Sequence, residues 1–450
     1  MMMEFIEKYI LPGAVKFGNN RHLLAIRDAL IGMISITMIG SFAVLFNNLG
    51  AAIPPYQKMM VWIFGDTWTT LGGDIWWGTF AFMTVFAVVG IAYKLARSYD
   101  DDGFEAMLVA LASFFVLVPQ VAKVTLTIAE KPETGDAWGF ISNTYLNSTA
   151  LFTGIVVSLL ATEVFVRLAR VKFLIIKLPD GVPPAVARAF AKLVPGMITI
   201  FVFGLGGLLF RKATNGMYVN DWLNQVLVAP LTNAADSLPF AILLAFLIHA
   251  FWAIGLHGPN ILGGITTPLF TQLGNKNIDL AAAGVDDLSK YAVMAGPYFD
   301  AFVFLGGSGA TLGLLIALLV ASKKRKQIVA LGMPPGVFQI NEPVLFGLPI
   351  VLNPIWLIPF ISTPIVLTIT SYLAIDFGLV HPVVTNIPWV TPPIIGGYLA
   401  TGAHLSGAVM AGINLVISIA IYLPFVIMQE RIDAKKIKEQ TAAGNHHLSV

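Results

Sequence analysis

Apolar residues in this chain fall in long blocks, with none of the short alternations that mark a soluble core. Blocks long enough to cross a bilayer, or nearly so, occupy 30–49, 79–96, 104–122, 149–166, 194–210, 240–256, 302–321, 360–375 and 407–428. With the broken stretches added, the pattern predicts an all-α polytopic membrane protein of about ten transmembrane helices with re-entrant hairpins.

The stretch around which the rest is organised is Gly336 to Phe360, GVFQINEPVLFGLPIVLNPIWLIPF. It is as apolar as a span, yet Pro343, Pro349, Pro354 and Pro359 interrupt it. Each proline removes a backbone donor and crowds the preceding turn, so one straight spanning helix is not expected. Broken backbone at membrane depth survives only inside protein or beside a wet cavity. Asn341 and Glu342 stand at its mouth. A carboxylate there is expensive and is kept for a ligand, a proton or a partner charge.

Charge then orients the chain. Hydrophobic residues make up 57% of the 450 and charged ones only 12%, with a mean hydropathy of +0.79. A soluble domain carries about a quarter charged residues. Lys8, Lys16, Arg21 and Arg27 precede the first span, and Arg167 to Lys192, Lys323 to Lys326 and Arg431 to Lys438 form further basic segments. The loops near 50–77 and 123–148 are poor in lysine and arginine, which places both termini in the cytoplasm. Arg211 and Lys212 do not fit that alternation. No cleavable signal is evident, and the N-terminal piece with Phe5, Ile6, Tyr9 and Ile10 is expected to pack on the protein or lie on the membrane. The 120–148 loop reads as a solvated outer hairpin, and the tryptophans at 62, 68, 76 and 77 as interfacial anchors. In LPDGVPPAVARAFAKL (178–193), Val186, Phe190 and Leu193 share one face and Arg188 and Lys192 the other. That pattern suits a cytoplasmic amphipathic helix along the membrane, or equally a basic connector. The chain has no cysteine, so disulfides, thiolate metal sites and cysteine-based covalent chemistry are absent. A net charge of +2 gives no indication of nucleic acid.

Polar residues divide the chain. The early spans hold almost no interior ionisable group except Glu163, whereas His249, His257, Asn260, Asp300, Asn341, Glu342, Asn353, Asp376 and Asn386 follow from 240 onward. Residues 1–225 therefore read as a scaffold and oligomer-interface half, 226–430 as a transport half, and 431–450 as a cytoplasmic tail.

Three pieces of the transport half carry candidate chemistry. In HAFWAIGLHGPN (249–260), Trp252 and His257 lie just before a break at Gly258 and Pro259. Indole, imidazole and amide together suit a sugar, whose ring stacks while its hydroxyls take polar partners. His249, mid-run, reads as an interhelical hydrogen-bond partner. In LGGSGATLG (305–313) the glycines either line a cavity or anion site or allow close helix packing. In HPVVTNIPWVTPPIIGGY (381–398), Trp389 is a second candidate stacking platform. No phosphate-binding glycine–lysine loop, metal cluster or nucleophile triad appears; ATP-driven pumping by this chain is not expected, and no cofactor or metal is.

The runs FQINEPVLFGLPIVLNP, IKLPDGVPPAV, FWAIGLHG and FLGGSGATLG resemble the lactose/cellobiose/diacetylchitobiose family of phosphotransferase-system sugar permeases, the membrane-embedded IIC component. The resemblance covers nearly the whole chain. It implies a homodimer in the bacterial cell membrane, joined through its first spans, with a β-linked disaccharide bound between re-entrant hairpins of the second half. Cellobiose, diacetylchitobiose and lactose are the candidate sugars. Carried over, Glu342 and His257 become the catalytic pair near the sugar's C6 hydroxyl, and Trp252, Asn341 and Trp389 join them as substrate-binding residues. The phosphate would come from a phosphocysteine on a separate IIB protein. The chain would then be the membrane subunit of a sugar phosphotransferase complex, with no phosphorylated residue of its own. The alternative is an ion-coupled secondary sugar transporter with Glu342 as its proton or cation site.

Overall fold

The computed structural model describes residues 16, 19–52, 54–128, 131–179, 181–322, 325–348, 350 and 353–447. The expectations placed on Phe5, Ile6, Tyr9, Ile10, Lys323, Lys324 and Pro349 lie outside the described residues. The chain is 74% helical and divides into two compact units. Among the described residues, Thr69–Arg97, Ser148–Leu168, Leu193–Ala213, Ile355–Asp376 and Leu405–Ala434 are each long and apolar enough to cross a membrane, which makes five. Two broken pairs, Arg21–Gly32 with Ile34–Val44 and Val219–Ala235 with Leu238–Ala253, raise the number to seven. Two more of the expected runs are shorter apolar helices, Phe104–Val116 and Thr311–Ala321.

The first unit runs through Ala234 and includes Gly263–Asn275. Its helices are α1 (Arg21–Gly32), α2 (Ile34–Ala52), α3 (Pro54–Phe64), α4 (Thr69–Thr79), α5 (Met83–Arg97), α6 (Phe104–Val116), α7 (Leu151–Leu168), α8 (Pro184–Ala191), α9 (Leu193–Ala213), α10 (Val219–Leu223) and α11 (Ala229–Ala235). The 104–122 run ends early because the chain turns into a hairpin. There β1 (Val121–Ile128) pairs antiparallel with β2 (Lys131–Trp138), in register from Val121–Trp138 to Ile128–Lys131. Helices α5, α6 and α7 share a core of Val88, Ala92, Ala110, Phe114, Val157 and Ala161. Small residues let them approach, and a β-carbon on Gly154 would lie 2.7 Å from the Thr84 methyl group.

Several charges in this unit are paired. Glu163 takes His22 Nε2 at 2.8 Å, Arg167 at 2.8 Å and the Tyr99 hydroxyl. Lys192 reaches Asp101 at 2.9 Å and Glu105 at 3.1 Å. Burial opposes its charged form, but those two carboxylates outweigh burial and raise the lysine above its usual value. Arg211, left unassigned by charge alternation, ends α9 with its guanidinium 5.2 Å over the Tyr218 ring, and Lys212 shares that last turn. Helix α8 exposes Val186 and Phe190, followed by exposed Leu193, so its apolar stripe is available to a membrane surface.

The second unit holds Ala235–Leu262 and Lys276 onward. It comprises α12 (Leu238–Ala253), the ends of α13 (Gly258–Ala282), α14 (Tyr298–Phe302), α15 (Thr311–Ala321), α16 (Lys326–Val337), α17 (Glu342–Gly347), α18 (Pro354–Asp376), α19 (Pro393–Ala400) and α20 (Leu405–His447). The 336–360 stretch is broken as expected, but its prolines act unequally. Pro343 and Pro354 sit in the first turns of α17 and α18, where a missing donor costs nothing, whereas Pro359 is accommodated inside α18. The 302–321 run is not one span. Gly306, Gly307, Gly309 and Ala310 all take positive φ, and helix resumes only at Thr311. Side-chain amides satisfy such irregular backbone. Asn277 donates to Ala292 O at 2.8 Å and Val383 O at 2.9 Å, and Asn414 donates to Phe302 O at 2.8 Å.

Candidate functional site

Trp252 ends α12 with 5% of its surface exposed. After a short turn, His257 caps α13, its Nδ1 accepting the Asn260 N–H at 3.2 Å. The two rings meet at 4.7 Å between centroids, tilted by 49°. Because Nδ1 accepts, the neutral imidazole carries its proton on Nε2, as a donor. The sequence expectation of an indole beside an imidazole at a helix break is therefore realised in space.

Asn341 and Glu342 are neighbours that face different ways. Asn341 is 4% exposed and donates through Nδ2 to Ser308 O at 2.6 Å, pinning the head of α17 to the glycine loop. Glu342 is exposed, and no cation or hydrogen-bond donor among the described residues meets its carboxylate. Among the described residues, no hydrogen bond joins Glu342 to His257. Trp389, in the irregular segment before α19, is 52% exposed and open to a ligand face.

The glycine loop acts as a hub. A β-carbon on Gly307 would lie 2.7 Å from the Gln339 carbonyl and 2.8 Å from the Asn341 side chain, and one on Gly309 would strike the Phe360 ring. The Gly309 N–H donates to His249 Nε2 at 2.8 Å, the Gly307 N–H to Phe304 O at 2.8 Å, and the Tyr422 hydroxyl to Gly309 O at 2.6 Å. These bonds take up the Gly307 and Gly309 N–H groups inside the protein, and the lack of β-carbons there lets Gln339, Asn341 and Phe360 pack close. His249, whose Nδ1 hydrogen-bonds Ala245 O at 2.6 Å, ties α12 to this loop as an interhelical partner.

Nothing in the sequence singles out Gln339, although it lies three residues before Glu342. It is 4% exposed, takes φ of 67°, and donates through Nε2 to Asp300 O at 2.8 Å and Thr391 O at 2.9 Å. One amide thus fixes the Glu342 element, α14 and the turn that bears Trp389. The Trp389 segment is a folded-back hairpin: the Val384 and Thr385 N–H groups donate to Ala400 O at 2.8 and 3.0 Å, and His381 and His404 stack with centroids 3.8 Å apart.

The described residues form a multi-pass helical protein with broken helices, an exposed carboxylate at Glu342 and an exposed indole at Trp389. Comparison with known proteins narrows the class. The family model "Phosphotransferase system, EIIC" matches residues 27–364. The chain is 36% identical to the lichenan permease IIC component of Bacillus subtilis over 441 residues, 97% of this chain and 95% of that one. It is 35% identical to the cellobiose-specific EIIC component of Geobacillus stearothermophilus over 443 residues, 98% of this chain and 96% of that one. The crystal structure of ChbC, the IIC component of the N,N'-diacetylchitobiose-specific phosphotransferase system, matches with a TM-score of 0.88 and 36% identity, covering 97% of this chain and 99% of that one. The chain belongs to the EIIC family, the multi-pass membrane permeases of sugar phosphotransferase systems.

Proposed function

We propose that the chain carries a β-linked disaccharide, cellobiose first among diacetylchitobiose and lactose, and presents its C6 hydroxyl to a phosphorylated IIB protein. The relatives named for lichenan and cellobiose favour that sugar class. The observation that carries the reading is the exposed Glu342 carboxylate on an element immobilised by Asn341 and Gln339, in the same unit as the Trp252–His257 pair. Trp389 offers an open face to a sugar ring, the buried Trp252 backs the His257 ring, His257 Nε2–H donates to a hydroxyl oxygen, and Glu342 orients the C6 hydroxyl. In transfer, the S–P bond of the donor phosphocysteine breaks as the O6–P bond forms. The O6 proton passes to Glu342 and the thiolate leaves on IIB. The first unit supplies the dimer contact, and both termini face the cytoplasm, in line with the basic segments.

The test is Glu342→Gln, which keeps shape and one acceptor but removes the basic site. Cellobiose affinity is measured by titration, and sugar-phosphate formation with saturating phosphorylated IIB. Phosphorylation should fall by roughly 10²–10⁴-fold, well beyond the loss of affinity. Wild-type phosphorylation by Glu342→Gln would remove this carboxylate from the chemistry. Uptake that dies when the proton gradient is collapsed, despite phosphorylated IIB, would favour ion coupling instead.

A further inference from the structure

The bound sugar needs more polar partners than Glu342 and His257 provide, and α14 holds an acid with no assigned role. Of its five residues, Tyr298, Phe299, Ala301 and Phe302 are buried in the packed interior, and Asp300 alone keeps part of its surface accessible. Its main-chain carbonyl is held at 2.8 Å by the Gln339 amide, which at 2.9 Å also holds Thr391 O, two residues beyond Trp389. Asp300 is therefore tied through one side chain to both the Glu342 element and the Trp389 hairpin. Its carboxylate meets no cation and no hydrogen-bond donor among the described residues. As a bare carboxylate, a desolvated acid of this kind is costly unless it takes up a proton or a ligand supplies the missing donors. A disaccharide is rich in hydroxyl donors, and a carboxylate accepts from two of them at once.

We propose that Asp300 is a substrate-binding carboxylate that accepts hydrogen bonds from sugar hydroxyls and sets which hydroxyl pattern the permease takes. The inference rests on the disaccharide reading above. It assigns Asp300 to recognition and leaves phosphoryl transfer to Glu342.

The experiment titrates cellobiose and its monodeoxy analogues into detergent-solubilised wild type and Asp300→Asn, with thermal unfolding of each as a folding control. A hydrogen bond to a charged group predicts a loss of cellobiose affinity of about 10–100-fold. At least one deoxygenation that weakens binding to wild type should cost nothing further in Asp300→Asn, because its hydroxyl has already lost its partner. If Asp300→Asn does not fold, Asp300→Glu keeps the charge, moves the carboxylate by one methylene and should change the penalty for that same analogue. Wild-type affinity in Asp300→Asn overturns the proposal, as does an equal loss for every analogue, which would mark a structural role. Restoration of affinity by added sodium or by pH would make Asp300 a cation site and overturn it too. If Asp300→Asn binds normally while Glu342→Gln still loses phosphorylation, only this inference fails. If wild type binds no β-linked disaccharide, the parent reading fails.

Discussion

Gln339→Leu tests whether one buried amide holds the site together. Wild-type Gln339 donates to Asp300 O and Thr391 O, carbonyls lying where the helical ladder does not reach. Leucine has similar bulk and the same β-carbon, so the φ of 67° is no worse satisfied than before. Losing two neutral hydrogen bonds costs roughly 0.5–1.5 kcal/mol each, and the stranded carbonyls add roughly 1–3 kcal/mol for each one that water does not reach. Against this, Gln339 Oε1 is itself buried without a donor, and its removal returns part of that cost. The net expectation is a destabilisation of about 1–3 kcal/mol. Gln339→Glu sharpens the test: it is nearly isosteric, yet an ionised carboxylate facing two carbonyls cannot donate and repels both. It should be worse than leucine at neutral pH and partly recover in acid, as protonation restores one donor. Thermal unfolding in detergent reads stability, and cellobiose titration reads the site. Affinity should fall in both variants although the wild-type amide is committed to the protein, because Trp389 and Glu342 lose their common tether. If Gln339→Glu unfolds and binds like wild type, the tether carries no energy and the account of the site is wrong.

Two further outcomes follow from the first unit. The chain has no native cysteine, so single cysteines can be placed on it without background; if residues before about 225 form the dimer contact, crosslinks between protomers should concentrate there, and reproducible pairs within α14 to α20 would overturn that assignment. Burial, together with the Asp221 carboxylate that accepts its hydroxyl at 3.0 Å, raises Tyr145 to about 12, and Asp101 and Glu105 raise Lys192. Both groups keep their protons longer in the folded state than in the unfolded one. The stability they contribute is full below about pH 10 and is lost as pH rises through about 12 for Tyr145. Unfolding between pH 9 and 12 should therefore be flatter in the combined variant Tyr145→Phe, Lys192→Met, and an unchanged alkaline slope would show that these pairs are too well solvated to matter.

Sequence reasoning succeeds where a residue's cost is local. Long apolar blocks demand a membrane, and prolines in apolar context demand broken backbone; neither depends on which other segment lies nearby. Failure begins where the decisive neighbour is remote in the chain. The 302–321 run reads as continuous helix because its glycines are tolerated in spans; the positive φ at Gly306, Gly307, Gly309 and Ala310 ends it, and Gln339, Asn341 and Phe360 occupy the space a β-carbon on Gly307 or Gly309 would need. Arg211 looks misplaced by charge alternation until the Tyr218 ring is found beneath it.

The site shows the same division at finer scale. Asn341 and Glu342 are adjacent and both polar, and sequence treats them as one ligand-binding pair. A helix begins at Glu342, so consecutive side chains leave the backbone in divergent directions, one toward Ser308 and one outward. The inward residue fixes the outward one. A glutamine in apolar surroundings gives no such direction from composition, and Gln339 acquires meaning only from two carbonyls 39 and 52 residues away. Residue type reveals which groups can do chemistry, while the long-range hydrogen bonds of the second unit decide which of them are held still enough to do it. In the proposed function, Glu342 depends on Asn341 and Gln339 for its position as well as on its own charge. Replacing either amide should lower sugar-phosphate formation even where the carboxylate remains.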